Sequence, residues 1–166
     1  MLTQQFTQPV YTIISKHVFG EIRKDVTSGA KAFFAVQNFN AGDAITNFEA
    51  VALLNHPTYL TVQTGEKKHI HLKPEYLQYI NHSCNPNVLF NTDTMQLECL
   101  QSINAGDELC FFYPATEWNM AQTFDCLCGS ANCIGKIQGA KYASMEILKN
   151  YKLTSFIQSM LNNKNA

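Results

Sequence analysis

Charge is scarce in this chain. Lys, Arg, Asp and Glu make up 15% of its 166 residues and leave a formal net charge of -1. That excludes a domain holding nucleic acid by bulk electrostatics, because such domains carry a strong basic excess. Long apolar runs are missing too: no stretch of 18 uncharged apolar residues occurs, so no segment reads as a membrane-crossing helix. The start, Met1-Leu2-Thr3-Gln4-Gln5-Phe6, shows no basic region leading into an apolar run, and predicts a soluble intracellular protein without a secretory leader. No Gly-x-Gly-x-x-Gly follows a strand, and neither a Gly-rich phosphate loop nor a serine-nucleophile elbow is present, which removes the common nucleotide sites and serine hydrolases. What remains is a chain with 46% apolar residues, enough for one core and too short for two independent domains.

Cysteine is the first positive signal. Of the six, Cys84, Cys99, Cys110, Cys126, Cys128 and Cys133, three fall within eight positions as a C-x-C-x4-C array. Clustered thiols in a chain without a leader fit metal ligands better than a disulfide framework, which prefers dispersed pairs; inert small hydrophobes are the remaining reading. The array supplies three soft ligands where tetrahedral zinc takes four.

Most of the chain reads as short strands. Residues 10–19 are β-branched and aromatic and predict an opening strand, and Ser28-Gly29-Ala30 leads into a second, aromatic one at Phe33-Phe34. Phe39-Asn40-Ala41-Gly42-Asp43-Ala44-Ile45 is echoed by Ile103-Asn104-Ala105-Gly106-Asp107-Glu108-Leu109, the same turn used twice and each time launching a strand; the second strand is expected over Glu108–Tyr113. Hairpins are predicted for 59–63 with 68–72, and for 88–90 with 95–100, the second placing Cys99 in the core. His69 and His71 alternate on one strand face, which reads as hydrated; metal binding by this pair lacks a nearby third ligand. Pro74 opens a short helical turn through Gln78. Near the end, Met145, Leu148 and Tyr151, then Leu153, Phe156, Ile157, Met160 and Leu161, recur at helical spacing and predict two short core-facing helices, with 162–166 frayed.

Between the hairpins lies Tyr79-Ile80-Asn81-His82-Ser83-Cys84-Asn85-Pro86-Asn87-Val88. Pro86 removes a backbone donor and drives Asn85 out of the helical region, while Asn, His and Ser carry short hydrogen-bonding groups suited to an irregular, fully satisfied segment. In order with Gly106-Asp107-Glu108-Leu109-Cys110-Phe111-Phe112-Tyr113 and Cys126-Leu127-Cys128-Gly129-Ser130-Ala131-Asn132-Cys133, this motif resembles a SET-domain methyltransferase with a post-SET zinc segment. The resemblance covers roughly residues 10–140 and is loosest in the first third.

That resemblance implies a mostly β fold (β-rich α+β) of several short sheets with a pseudoknot: a SET domain over 1–124, a zinc segment over 125–140, and a helical extension of the same domain over 141–166. It implies S-adenosylmethionine and zinc as cofactors, a lysine-bearing protein or peptide, histone-like or otherwise basic, as substrate, no direct nucleic-acid binding, and a nuclear or chromatin-associated place in a eukaryote or a cytoplasmic one elsewhere. By the same resemblance Tyr113 is the catalytic phenol, Phe111 sets how many methyl groups fit, and Lys31, Ala32, Phe33, Asn81, His82, Tyr113 and Leu127 hold the cofactor. Cys84 becomes the fourth zinc ligand beside Cys126, Cys128 and Cys133. Four positions depart from the family pattern. Ala30 and Ala32 stand where Gly-x-Gly is usual, Phe48 stands where many members carry an active-site tyrosine or is a plain core residue, and Phe112 replaces an aspartate, a packing matter. Trp118 reads as a core or lid residue. Methyl transfer to an amine needs alignment, exclusion of water and a neutral amine rather than a covalent nucleophile. Rival readings are a peptide- or cofactor-binding module that has lost turnover, and a methyltransferase for another acceptor such as histidine or a free amine.

Overall fold

The computed structural model describes residues 9–165; the reading of Met1–Phe6 falls outside them. Three antiparallel strands open the fold, β1 (Tyr11–Lys16), β2 (Gly20–Asp25) and β3 (Lys31–Ala35), paired in that order. β3 is buried from Ala32 to Ala35, which explains its run of Ala and Phe: both its faces meet other side chains.

The first echoed turn then launches β4 (Ala44–Asn47), and its geometry matches that of its twin closely. The Asn40 N–H donates to Asp43 Oδ2 at 2.7 Å and the Asp43 N–H returns to the Asn40 carbonyl at 3.0 Å; in the second copy the Asn104 N–H reaches Asp107 Oδ2 at 2.8 Å and the Asp107 N–H reaches the Asn104 carbonyl at 3.0 Å. Gly42 and Gly106 sit at φ 94° and 99°, a backbone that only glycine adopts without strain. The two turns meet through an antiparallel bridge between Phe39 and Ile103.

Next come β5 (Glu49–Leu54), β6 (Thr61–Gly65) and β7 (Lys68–Lys73), a sheet with β7 in the centre. That central place corrects the reading of His69: it is 3% exposed, with Nδ1 left without a partner, rather than hydrated. A 3₁₀ turn at Glu75–Tyr79 delivers the chain to β8 (Asn81–His82), followed by β9 (Val88–Asn91) and β10 (Gln96–Cys99), which pair as expected and dock on β4. Cys99 is buried.

The strand expected over Glu108–Tyr113 is shorter, because only β11 (Cys110–Phe111) is regular. Pro114 lacks an N–H and turns Tyr113–Ala115 into a 3₁₀ helix. β11 runs parallel to β8, although the two are far apart in sequence. Asn87 staples this crossing: its side chain donates to the Glu108 carbonyl and accepts from the Cys110 N–H, both at 2.8 Å. A further hairpin, β12 (Phe124–Asp125) with β13 (Lys136–Ile137), closes the base of the late cysteine loop and was not foreseen.

Two helices finish the chain, α1 (Met145–Leu148) and α2 (Ser155–Asn165). Ser144 caps α1 by accepting the Ile147 N–H, but the helix stops after four residues, so Met145 is exposed and Tyr151 lies beyond it. α2 continues through residues expected to fray. Ile157, Leu161 and Leu148 pack with Leu89, Phe112 and Ala115 into a second apolar cluster, beside the main one built on Phe33, Phe48, Phe90, Leu97 and Leu109. Among the described residues no helix is long and apolar enough to cross a membrane.

Candidate metal centre and adjoining cavity

Cys84 arrives from the loop after β8, and Cys126, Cys128 and Cys133 from the loop between β12 and β13. Their four Sγ atoms lie within 4.8 Å of one another. The Cys84 and Cys126 sulfurs are 3.9 Å apart, against about 3.8 Å across a tetrahedron with ~2.3 Å Zn–S bonds. The donor set and its spacing therefore fit zinc. Burial, the largest influence, pushes the Cys84 thiol well above the ordinary range, and neighbouring Cys126 adds to it. A bound cation reverses that preference, since the thiolate is the ligand form.

The surroundings of this cluster are ordered from several directions. The Ile134 N–H faces Cys84 Sγ at 3.5 Å, and the Cys84 carbonyl accepts from the Asn132 amide at 2.7 Å and from the Tyr151 hydroxyl at 2.8 Å. Tyr151 in turn stacks flat on Phe112, with ring centroids 3.7 Å apart and planes 4° from parallel. Phe112, read as a packing residue, thus ties the second motif to the C-terminal segment.

His82, expected to hold the cofactor, also joins two segments of the site. Its Nδ1 accepts the Tyr113 N–H at 3.1 Å, which leaves Nε2 as the protonated nitrogen, 3.4 Å from Cys84 Sγ. Burial lowers its pKa to about 4, so the ring is neutral. Phe112, Tyr113 and Phe124 surround it. It links the thiol cluster to the backbone of Tyr113 rather than lining open space.

Beside this link is a cavity of about 390 Å³, whose wall includes Phe90, Phe111, Tyr113, Phe124, Asn81 and Glu117. Phe111 packs between Phe90 and Tyr113, at 4.9 and 4.6 Å between centroids. Burial, then the charges of nearby groups, raises the Tyr113 phenol, so it remains protonated and able to donate. Asn81 spends its amide hydrogens on the Lys31 carbonyl at 2.9 Å and on Glu108 Oε1 at 3.2 Å, fixing β8 against the start of β3 at the cavity edge.

The other expected cofactor residues separate into three groups. Lys31, Asn81 and Tyr113 line the cavity. Ala32 and Phe33 are buried, and the Phe33 ring stacks on Tyr76, so only backbone at these positions could meet a ligand. Leu127 is 94% exposed and away from the cavity wall. Phe48 is a core residue, edge-on to Phe90 at 5.4 Å. Trp118 packs in the second apolar cluster. Ala30 ends an exposed turn, its carbonyl accepting the Asp25 N–H.

Glu117 was missed. It is 6% exposed, and its Oε1 accepts from the Gln63 N–H at 2.8 Å and the Thr116 hydroxyl at 3.1 Å. Burial lifts its pKa to about 7 against both hydrogen bonds. One sequence signal was available: it is the sole charged residue between Glu108 and Asp125.

The fold brings together small sheets, a crossing of two motif strands and a four-thiol cluster beside an aromatic cavity, and residues 51–114 match the SET domain family. The match starts after β4, in keeping with the loose resemblance of the first third. Among individual proteins, the chain is 41% identical over 109 residues to the methyltransferase flvH of Aspergillus flavus, covering 64% of this chain and 61% of that protein. It is 30% identical over 92 residues to an H3 lysine-36 specific histone-lysine N-methyltransferase of Gibberella zeae, covering 52% of this chain and 10% of that protein. Against the histone-lysine N-methyltransferase set9 of Schizosaccharomyces pombe it is 35% identical over 66 residues, or 39% of this chain and 14% of that protein. The chain thus spans about three fifths of the first of these relatives and a small part of the others.

Proposed function

We propose that this protein is an S-adenosylmethionine-dependent N-methyltransferase whose acceptor is a lysine amine of a protein, histone tails being one candidate. The observation that carries the reading is the cavity in which Tyr113 and Phe111 stand side by side, backed by the Cys84 cluster. Its aromatic walls and single carboxylate suit organic cations, which are stabilised over ring faces. Both the sulfonium cofactor and a lysine ammonium belong to that class.

When bound, the cofactor supplies an electrophilic methyl group. Lys31 and Asn81 at the cavity edge, with Tyr113, would hold it. The protonated phenol of Tyr113 can donate a hydrogen bond but cannot act as a base, so its part is orientation. Phe111 presents a ring without a hydroxyl and leaves room for an amine already carrying methyl groups. Zinc, held by Cys84, Cys126, Cys128 and Cys133, would fasten residues 126–133 against the motif that contains Asn81 and His82. A nuclear location follows if the substrate is a histone.

A free small amine is the second reading, favoured by the buried carboxylate of Glu117, which asks for a cation of modest size. Both readings are tested by incubating the zinc-loaded protein with S-adenosylmethionine and a panel of basic proteins, lysine peptides and small amines, read by mass spectrometry. Methylated lysine supports the first reading and a methylated small amine the second. No methylated product across the panel, with cofactor binding intact, would leave a binding module.

A further inference from the structure

The methyltransferase reading leaves Glu117 without a task, and its surroundings ask for one. Glu117 is the single acidic residue on the wall of the cavity. Oε1 is clamped by the Gln63 N–H and the Thr116 hydroxyl, while Oε2 has no partner among the described residues. Among the described residues the one fully buried side-chain polar atom without a partner is His69 Nδ1. The second oxygen of Glu117 is therefore not sealed in; it opens onto the cavity that the residue lines.

Among the described residues no cation offsets this charge: no Lys, Arg or His pairs with Glu117, and no charged group contributes to its titration. The groups facing it can be named in turn. From the 3₁₀ turn before it, Tyr113 feels its charge and stays a neutral phenol. β6 presents Gln63 and Thr61, both uncharged. The 3₁₀ turn at Ala140–Tyr142, whose Ala140 N–H donates to the Glu117 carbonyl, carries Lys141, but that ammonium lies over the Tyr142 ring. Elsewhere on the cavity wall are Tyr59, Tyr79 and Lys31, the last over the Tyr79 ring at 5.2 Å.

An acceptor for two hydrogen bonds could be an amide at no electrostatic cost, whereas a buried carboxylate without a cation is strongly unfavourable. The missing cation is then a ligand. Resting on the methyltransferase reading, we infer that Glu117 holds the ammonium of the acceptor amine inside the cavity and takes one of its protons. In that step one N–H bond breaks, an O–H bond forms on Glu117, and the electron pair stays on nitrogen, leaving a neutral amine beside Tyr113 and a neutral carboxylic acid. With a pKa of about 7 the carboxyl is poised for such an exchange near neutral pH.

The test uses the full zinc-loaded chain without cofactor, with n-butylammonium chloride as the probe and n-butanol as its uncharged counterpart, titrated by calorimetry on either side of pH 7. The wild type should prefer butylammonium over butanol by about tenfold or more above pH 7, the range of one charge-assisted hydrogen bond. That preference should fade as Glu117 protonates below it. Glu117→Gln should bind both probes alike at all pH values, and Glu117→Asp, which keeps the charge on a shorter arm, should restore part of the preference. A Glu117→Gln protein with normal zinc content and an unchanged, pH-dependent preference would overturn the inference, as would a wild type whose preference ignores pH. The two proposals fail separately. Methyl transfer by Glu117→Gln at the wild-type rate and pH profile sinks this one alone, while amine selectivity in a protein that transfers no methyl group sinks the other alone.

Discussion

Replacing Glu117 by Gln should make the protein more stable in mild alkali, a result that depends on no ligand. The side chain is buried and its pKa is raised from 4.5 to about 7 by desolvation, against the pull of Gln63 and Thr116. A carboxyl raised on folding contributes stability that is complete below its unfolded pKa and is lost as pH rises through the folded value. The window thus runs from about pH 4.5 to just above 7. A shift of roughly 2.5 units, at about 1.36 kcal/mol each, removes about 3 kcal/mol across it. Gln is neutral throughout and can accept the same two hydrogen bonds, so it escapes that loss. Urea unfolding of both proteins at steps from about pH 4 to pH 8 gives the stability difference directly, and every other titrating group cancels in the comparison. The variant's advantage should grow by about 3 kcal/mol from acid to alkali, or roughly 6–12 °C in Tm for a chain of this size. A difference that stays flat across the window would refute the placement of an ionisable Glu117 in a site that desolvates it.

Cys133→Ser should lower bound zinc from about one ion per chain to near none, with residues 126–137 becoming protease-sensitive; full zinc by elemental mass spectrometry would remove Cys133 from the ligand set. Phe111→Tyr puts a hydroxyl into the cavity and should restrict products to fewer methyl groups, so an unchanged product distribution by mass spectrometry would dismiss its steric role. Gly139→Ala should cost about 2 kcal/mol or more in urea unfolding, since a Cβ there lies 2.6 Å from the Trp118 carbonyl oxygen at a φ of 104°; wild-type stability would contradict that geometry.

The parts of this molecule that were readable in advance are those where chemistry is dense over a short stretch. Cys126, Cys128 and Cys133 announce a thiol-rich loop by spacing alone, and the doubled Asn-Ala-Gly-Asp turn carries its own hydrogen bonds and glycine conformation with it. The pairing of β9 with β10 was visible because one face alternates. What escaped depends on contacts between distant segments. His69 has an ordinary alternating neighbourhood and is buried only because β7 lies between β5 and β6. His82 sits in the motif as expected, yet its partners, the Tyr113 N–H and Cys84 Sγ, arrive through the β8–β11 crossing. β12 and β13 are two residues each, below any periodic signal. Glu117 needed the position of β6 before its lone charge meant anything. Leu127 is a motif position expected to touch the cofactor, and its side chain lies on the outside of the late cysteine loop.

One imidazole spans the distance between the thiol cluster and the peptide unit of Tyr113. Because His82 grips Tyr113 with one nitrogen and Cys84 with the other, the posture of the phenol and the packing of the sulfurs are not separate variables. A change at the sulfur cage, whether oxidation of a thiol or the arrival of an ion, would therefore reach the tyrosine through a single rigid ring.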